Sequence, residues 1–226
     1  MATLLGTLLN ADPAFGSGAS SFSSGLETLV GDGLVGDPDG LVALMTDAVR
    51  LRWNTFDRVF LSRSYALGCR SESDADRLAL DRELEVSMPG HSARGSSRRA
   101  GAALLGTWAR LGSPSVIRYR HRVKGTAFAG HLAVAQGLVW SERGLTLDDA
   151  EALACWAVLS AYASGAVRLG VVGHRSAQFA LITAERELAP LLEQPVPDDA
   201  VPHSFTPIHD IALERHRLAE LKLFVS

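Results

Sequence analysis

From Ala152 to Val167 the chain runs 16 residues without a charge, and nine of them are Ala, Ser or Gly. This stretch constrains the fold more than any other. Thr146 and Asp149 form a capping box, with Asp in place of the usual Glu, so a helix opens at Leu147 and runs to about Leu169. A helix that is apolar on every side has to be buried, and small side chains let neighbouring helices approach closely. The uncharged stretch is short for a membrane span and suits a soluble interior. The fold must therefore supply other helices around it. It is read as the central helix of a bundle or as part of a helix-mediated oligomer interface.

The rest of the chain supplies helices. One starts near Ser23 and ends about Gly31. Asp37-Pro38 opens the next, with Pro in the first turn, and its stripe of Leu41, Leu44, Met45, Ala48, Leu51, Arg52, Thr55 and Val59 runs to Gly68. Ser73 or Asp74 is placed to cap a third, ending before Pro89, and Ser92 a fourth, ending at Gly112. Thr126 to Val139 and Ser176 to Leu192 also read as helix. Ile117, Tyr119, His121 and Val123 alternate with Arg118, Arg120 and Arg122, a strand-like period. A lone strand would have no partner here, so the segment is read as helix or irregular. The expected fold is all-α: a single domain over residues 1–226, a bundle of roughly eight to ten helices.

Gln194 to Pro207 carries four prolines and reads as a linker. Pro207 is placed to open a last helix. Ile208, Ile211, Leu218, Leu221 and Val225 share one broad face, with Phe224, His209 and His216 on the other. A terminal helix with apolar groups on two sides has somewhere to dock, on its own domain or on another protein.

Several function classes are disfavoured. The formal charge of -3 argues against a general nucleic-acid binder. The basic run at 118–124 is read as a solvated or ion-paired face. Cys69 and Cys155 are the only cysteines, and they suggest reduced thiols in a cytoplasmic protein. The start Met-Ala-Thr-Leu-Leu lacks the basic region of a secretory leader. Gly31-Asp32-Gly33-Leu34-Val35-Gly36 matches a dinucleotide-binding fingerprint by letter. Helical sequence precedes it where a strand is required, so it reads as an interhelical linker. There is no Walker A motif. His209 and His216 would sit about 10.5 Å apart along a helix, too far to share one ion, and no H-x-x-x-H or C-x-x-C pair occurs. His131 is read as a hydrogen-bonded structural histidine. No cofactor, resident metal or catalytic group is expected.

Three segments together resemble the UreF family of urease accessory proteins. The first is Asp12, Gly18 and the run Phe22-Ser23-Ser24-Gly25-Leu26-Glu27. The second is Ser164 to Gly173 followed by Gln178, with His131 and Gly137 upstream. The third is Pro207, Asp210-Ile211, His216 and Leu223-Phe224-Val225-Ser226. The chain departs from the family at Gly16, where proline is usual, and at His174, where glutamine is usual. It departs again at Lys222, where arginine is usual and lysine cannot form a bidentate fork.

The resemblance implies an all-α homodimer without catalytic activity. It implies binding to a UreD-like protein (UreH in some organisms) and recruitment of the nickel-carrying GTPase UreG to apo-urease for nickel insertion. A regulator of UreG GTP hydrolysis is the alternative, with Arg168, Arg175 and Arg215 as candidate arginines. Carried over residue by residue, the partner-binding positions are Ser23, Ser24, Gly25, Leu26, Glu27, Arg168, Gly173, Gln178, Asp210, His216, Lys222, Leu223 and Phe224. With the resemblance, residues 194–226 are read as a Pro-rich linker plus a partner-binding C-terminal helix. No nucleic acid or membrane is implied.

Overall fold

The computed structural model describes residues 6, 8, 9, 11, 25–70 and 72–218. Ser23, Ser24, Lys222, Leu223 and Phe224 lie outside the described residues, as does most of the Ser/Gly-rich run before Gly25. Among the described residues every regular element is helical, so the fold is all-α. The elements are α1 (Leu26–Gly31), α2 (Pro38–Ala48), a π-helical segment (Val49–Asp57), α3 (Arg58–Ala66) and α4 (Ser73–Ser87). They continue with α5 (His91–Arg110), α6 (Pro114–Val123), α7 (Leu132–Glu142), α8 (Leu147–Arg168), α9 (His174–Leu192) and α10 (Pro207–Leu218).

Local chemistry sets several of these boundaries as anticipated. Asp37 caps α2 by accepting from the Gly40 N–H at 2.8 Å. Thr146 caps α8 by accepting from the Asp149 N–H at 3.1 Å. Two anticipated caps are not made. Asp74 is buried against Arg77 and Arg118, and Ser73 Oγ donates to the Leu67 carbonyl. At α5 it is not the Ser92 side chain that caps. Its backbone N–H donates to Glu214, a residue of α10. The alternating segment is helix α6, because Pro114 starts a turn and Val116 and Tyr119, three apart, are both buried.

The most enclosed helix is α7, in which every residue from Leu132 to Trp140 is buried. The long α8 was expected at the centre. It has one buried side and one open side, with Ala152, Ser164 and Arg168 exposed and Trp156 41% exposed. By length and composition alone α8 could cross a membrane, but 67% of its most apolar window is buried among the other helices. Glycine sets the approach of α7 to its neighbours. A Cβ on Gly137 would stand 2.6 Å from the Leu61 carbonyl oxygen and 2.7 Å from the Tyr65 nitrogen. Ser64 Oγ closes the same crossing by donating to the Val134 carbonyl at 2.7 Å. A Cβ on Gly101 of α5 would overlap the Gly130 carbonyl at 2.0 Å.

That second contact explains why α7 starts at Leu132 and not at Thr126. The Gly130 and His131 N–H groups donate to the buried Asp81 carboxylate at 2.7 and 2.9 Å, and the Tyr119 hydroxyl donates to it as well. The chain at 126–131 is thus spent on reaching Asp81. His131, fully buried, contacts Ser97 Oγ through Nδ1 (3.1 Å) and Glu85 through Nε2 (2.9 Å). Burial raises Asp81 to about 6, against the pull of Gly130, Tyr119, His131 and Arg77. Burial lowers His131 to about 4, against the pull of Glu85.

Two predictions follow from this core. Gly137→Ala has no room against α3 and should cost about 1–3 kcal/mol, read as a lower melting temperature. Gly106→Ala meets only the Arg110 side chain at 3.8 Å and should be neutral or stabilising in the same assay. The second concerns pH. Between about 4 and 6, folded Asp81 holds a proton that the unfolded chain has released, which makes stability fall as pH rises. Over the same range folded His131 lacks a proton that the unfolded chain carries, which makes stability rise with pH. The two oppose each other in the wild type. Asp81→Asn removes the first, so its melting temperature should climb more steeply from pH 4 to 6.5 than that of the wild type. Parallel melting curves across that range would refute the assignment.

Candidate partner interface

The C-terminal helix docks in a cleft between α1 and α5, by the side that carries His209, Ala212, Leu213 and His216. Gly25 precedes α1 with φ +96°, a conformation that suits glycine, and lies directly beneath α10. A Cβ there would stand 3.5 Å from the Leu213 nitrogen. Glu27 bonds His216 Nε2 at 3.0 Å, and His216 is 2% exposed. Asp32 takes both arms of Arg215, at 2.5 and 3.0 Å. Glu214 accepts the Ser92 N–H at 2.8 Å, so α10 caps the N-terminus of α5. Asp210 faces Arg52 at 4.0 Å. Small Ala212, 2% exposed, permits the close approach.

The opposite side of α10 is apolar and open. Ile208 and Ile211 are each 60% exposed and Leu218 is 70% exposed. The sequence groups these residues on one face and His209 with His216 on the other. The structure docks the histidine face. Charges fixed on α1 and the Ser92 N–H of α5 meet the polar groups of α10, while Ile211 and Leu218 edge an open apolar groove beside Pro89 and Ala93. The preceding strap, 194–206, adds exposed Val201 and Phe205. It is pinned rather than free: Arg63 donates to the Ala200 carbonyl at 2.8 Å. The His203 and Phe205 N–H groups donate to Thr55 and Leu51 carbonyls of the π-helical segment at 2.9 and 3.0 Å.

Between α10 and the core is a cavity of about 100 Å³ lined by Arg52, Asp57, Tyr162, His209 and Asp210 among others. Its polar groups are tuned by burial, which lowers His209 and raises Asp57 and Asp210. Tyr162 is pushed up to about 12 by the same cause. Among the described residues, no group of three or more His, Cys, Asp and Glu is placed to hold a metal ion.

The anticipated partner-binding residues thus fall in two places. Gly25, Leu26, Glu27 and His216 come together at the α1–α10 contact, and Asp210 faces Arg52 across the neighbouring cavity. Arg168 and Gln178 line a second feature, a groove of about 390 Å³ between α8 and α9 floored by Trp156, Ala157 and Ser160. Gly173 caps α9 beside it. No residue lines both features. The ties made by Asp32 and by the Ser92 N–H were not legible in the sequence, because each partner is far away along the chain.

Burial works to raise the Glu214 carboxyl, but hydrogen bonds from Ser92 and the nearby Arg217 and His91 outweigh it and hold it below its ordinary value. Its contribution is therefore present above the ordinary carboxylate range and is lost as pH falls through the depressed value. Glu214→Ala should remove a helix cap worth about 1 kcal/mol. Amide exchange over residues 208–218 should quicken while that of α7 stays slow, and unchanged exchange at 208–218 would contradict the docking role.

The model of the UreF family matches residues 35–185. The chain is 30% identical over 223 residues to the urease accessory protein UreF of Trichodesmium erythraeum (strain IMS101), covering 95% of this chain and 93% of that protein. It is 31% identical over 232 residues to UreF of Agrobacterium fabrum (strain C58 / ATCC 33970), covering 100% and 97%. It is 27% identical over 233 residues to UreF of Bacillus sp. (strain TB-90), with both chains covered in full. The matches to these relatives run over the strap and α10, which lie beyond the stretch that the family model matches. On this helical architecture and these matches, the chain belongs to the UreF family of urease accessory proteins.

Proposed function

We propose that the protein is a non-catalytic cytoplasmic adaptor that binds a UreD-like accessory protein and recruits the nickel-carrying GTPase UreG to apo-urease, where nickel is the cargo. The observation that carries this reading is the docking of α10 by its histidine face. A helix held by ion pairs and a cap, with two isoleucines and a leucine turned outward, keeps its apolar surface for something else. Phe205 and Val201 extend that surface along the strap. Gly25, Leu26 and Glu27 lie under the same helix, so a partner gripping α10 also senses the segment that leads into α1. The groove between α8 and α9, with exposed Trp156 and small residues on its floor, supports homodimerisation as part of the same assembly. Small residues there allow close helix approach.

Of the arginines considered for an activating role towards UreG, Arg215 is engaged by Asp32 and Arg175 is exposed at the start of α9. Timing phosphate release from nucleotide-loaded UreG with and without this protein separates an adaptor from an activator.

The decisive experiment alters the open face and leaves the docked one intact. Ile211→Asp with Leu218→Asp should fold with wild-type melting, because neither side chain is buried. In cells co-expressing the urease operon, the double variant should fail to pull down the UreD-like protein and should leave urease inactive. Full complex formation and activity in the variant would refute the reading.

A further inference from the structure

His209 turns inward from α10, and its Nε2 is buried without a hydrogen-bond partner. Its ring meets the Tyr162 ring of α8 edge to face, with centroids 6.3 Å apart. Both rings line the cavity of about 100 Å³ between α10 and the core. The fixed positive charge of that cavity is Arg52 of the π-helical segment. Its guanidinium already draws the two carboxylates at hand, Asp57 at 3.1 Å and Asp210 at 4.0 Å. An imidazolium at 209 would gain an N–H with no acceptor and would face a like charge across the cavity. Burying a charge on those terms is costly, so the seat accepts the neutral ring.

The other elements around α10 do little to change this. From α2, the exposed Asp47 is the carboxylate that favours a charged His209, and burial together with Arg52 outweighs it, holding the ring below its ordinary value. From α8, Tyr162 is pushed up to about 12 by burial and stays neutral. From α5, the polar side chains in the cavity are Ser96 and Ser97, and His91 lies near Glu214. From α1, Glu27 is bonded to His216 and Asp32 to Arg215. Docking therefore requires His209 to give up a proton that the undocked helix holds below pH 6.5, so it weakens as pH falls through that value. Burial raises Asp57 and Asp210, whose protonation favours docking, but from the carboxylate end of the scale. Glu214 is held low, and its tie is lost only below the ordinary carboxylate range. The first response to acid belongs to His209.

We propose that α10 is an acid-released latch: protonation of His209 drives its ring out of the cavity and lifts the helix from its cleft while the rest of the fold stays closed. The strap is pinned as far as Phe205, whose N–H donates to the Leu51 carbonyl, so the hinge is at Thr206 and Pro207. Beyond it, the Arg215 to Asp32 pair is exposed to water and holds the helix only weakly. The core does not share the response, because Asp81 and His131 titrate against each other. Release turns Ala212, Leu213 and His216 outward and uncovers Gly25 to Glu27. The proposal goes beyond the adaptor reading and does not depend on it.

The test is amide exchange of the full chain, read by mass spectrometry from about pH 7.5 down to about 5.5, with labelling times scaled for the intrinsic rate. Protection of α10 should fall about five- to tenfold over that range, since one proton allows at most about tenfold per pH unit. Protection of α7 should not change. His209→Phe keeps a ring against Tyr162 and takes no proton, so its α10 should stay equally protected throughout. Level protection of α10 in the wild type overturns the proposal. So does an equal fall in His209→Phe, which would assign the effect to His216 or to the carboxylates. A parallel loss in α7 overturns it too, since the opening would then be global. If α10 of His209→Phe is already undocked at neutral pH, the His209 ring of the wild type is followed by NMR instead. Its titration should coincide with the loss of α10 protection, and a mismatch overturns the proposal.

Discussion

One guanidinium ties together several parts of this fold that lie far apart in sequence. Arg58, 2% exposed, opens α3. It holds Glu151 of α8 through Nε at 2.9 Å and Nη2 at 2.6 Å. The same group takes Asn54 of the π-helical segment, the Leu191 carbonyl at the end of α9 and the Gln194 carbonyl at the start of the strap. Ser62 completes the set by donating to the other Glu151 oxygen at 2.7 Å. Burying a charge pair is costly unless every polar atom around it is satisfied. Here the arginine also donates to carbonyls at the C-terminal end of α9. Without it, α8 and α9 would face each other with an orphaned carboxylate, and the strap would lack its first anchor.

The position of α10 follows from that anchor. The strap leaves Arg58, passes Arg63 and pairs two N–H groups with carbonyls of the π-helical segment. It therefore delivers Pro207 to one place, with the helix turned so that Glu214, Arg215 and His216 meet fixed partners. Each contact is modest where it is exposed to water. Together they fix an orientation rather than a large stability, and the orientation is what exposes Ile208, Ile211 and Leu218. A terminal helix held in this way stays available to a partner without unfolding anything else.

The centre of the molecule follows a different logic. Gly101 and Gly137 bring backbone against backbone, and Asp81 gathers the loop that ends at His131. Asp81 and His131 are tolerated this deep because each has hydrogen-bond partners. Their opposed titrations leave the core little affected by mild acid.

Much of the helical inventory was legible in the sequence. Caps such as Asp37 and Thr146, the small-residue run from Ala152 and the proline cluster after Gln194 are local signals acting over a few residues. Fold class follows from them because helices apolar on one or all sides have only each other to bury against. The family likeness rested on short motifs in order, and it too is a property of the chain alone. Tertiary structure decided what those signals leave open. It placed α7 rather than α8 at the centre, replaced the Ser92 side-chain cap by Glu214, and turned the alternating run at 117–124 into a one-sided basic face. It also decided which face of α10 docks. The physical reason is common to all of these. Periodicity says which residues share a side of a helix, but the side that is buried depends on what stands opposite. Here those groups are Glu27, Asp32, Ser92 and the α3 backbone that Gly137 of α7 packs against, all far away in sequence and close only once the chain has folded.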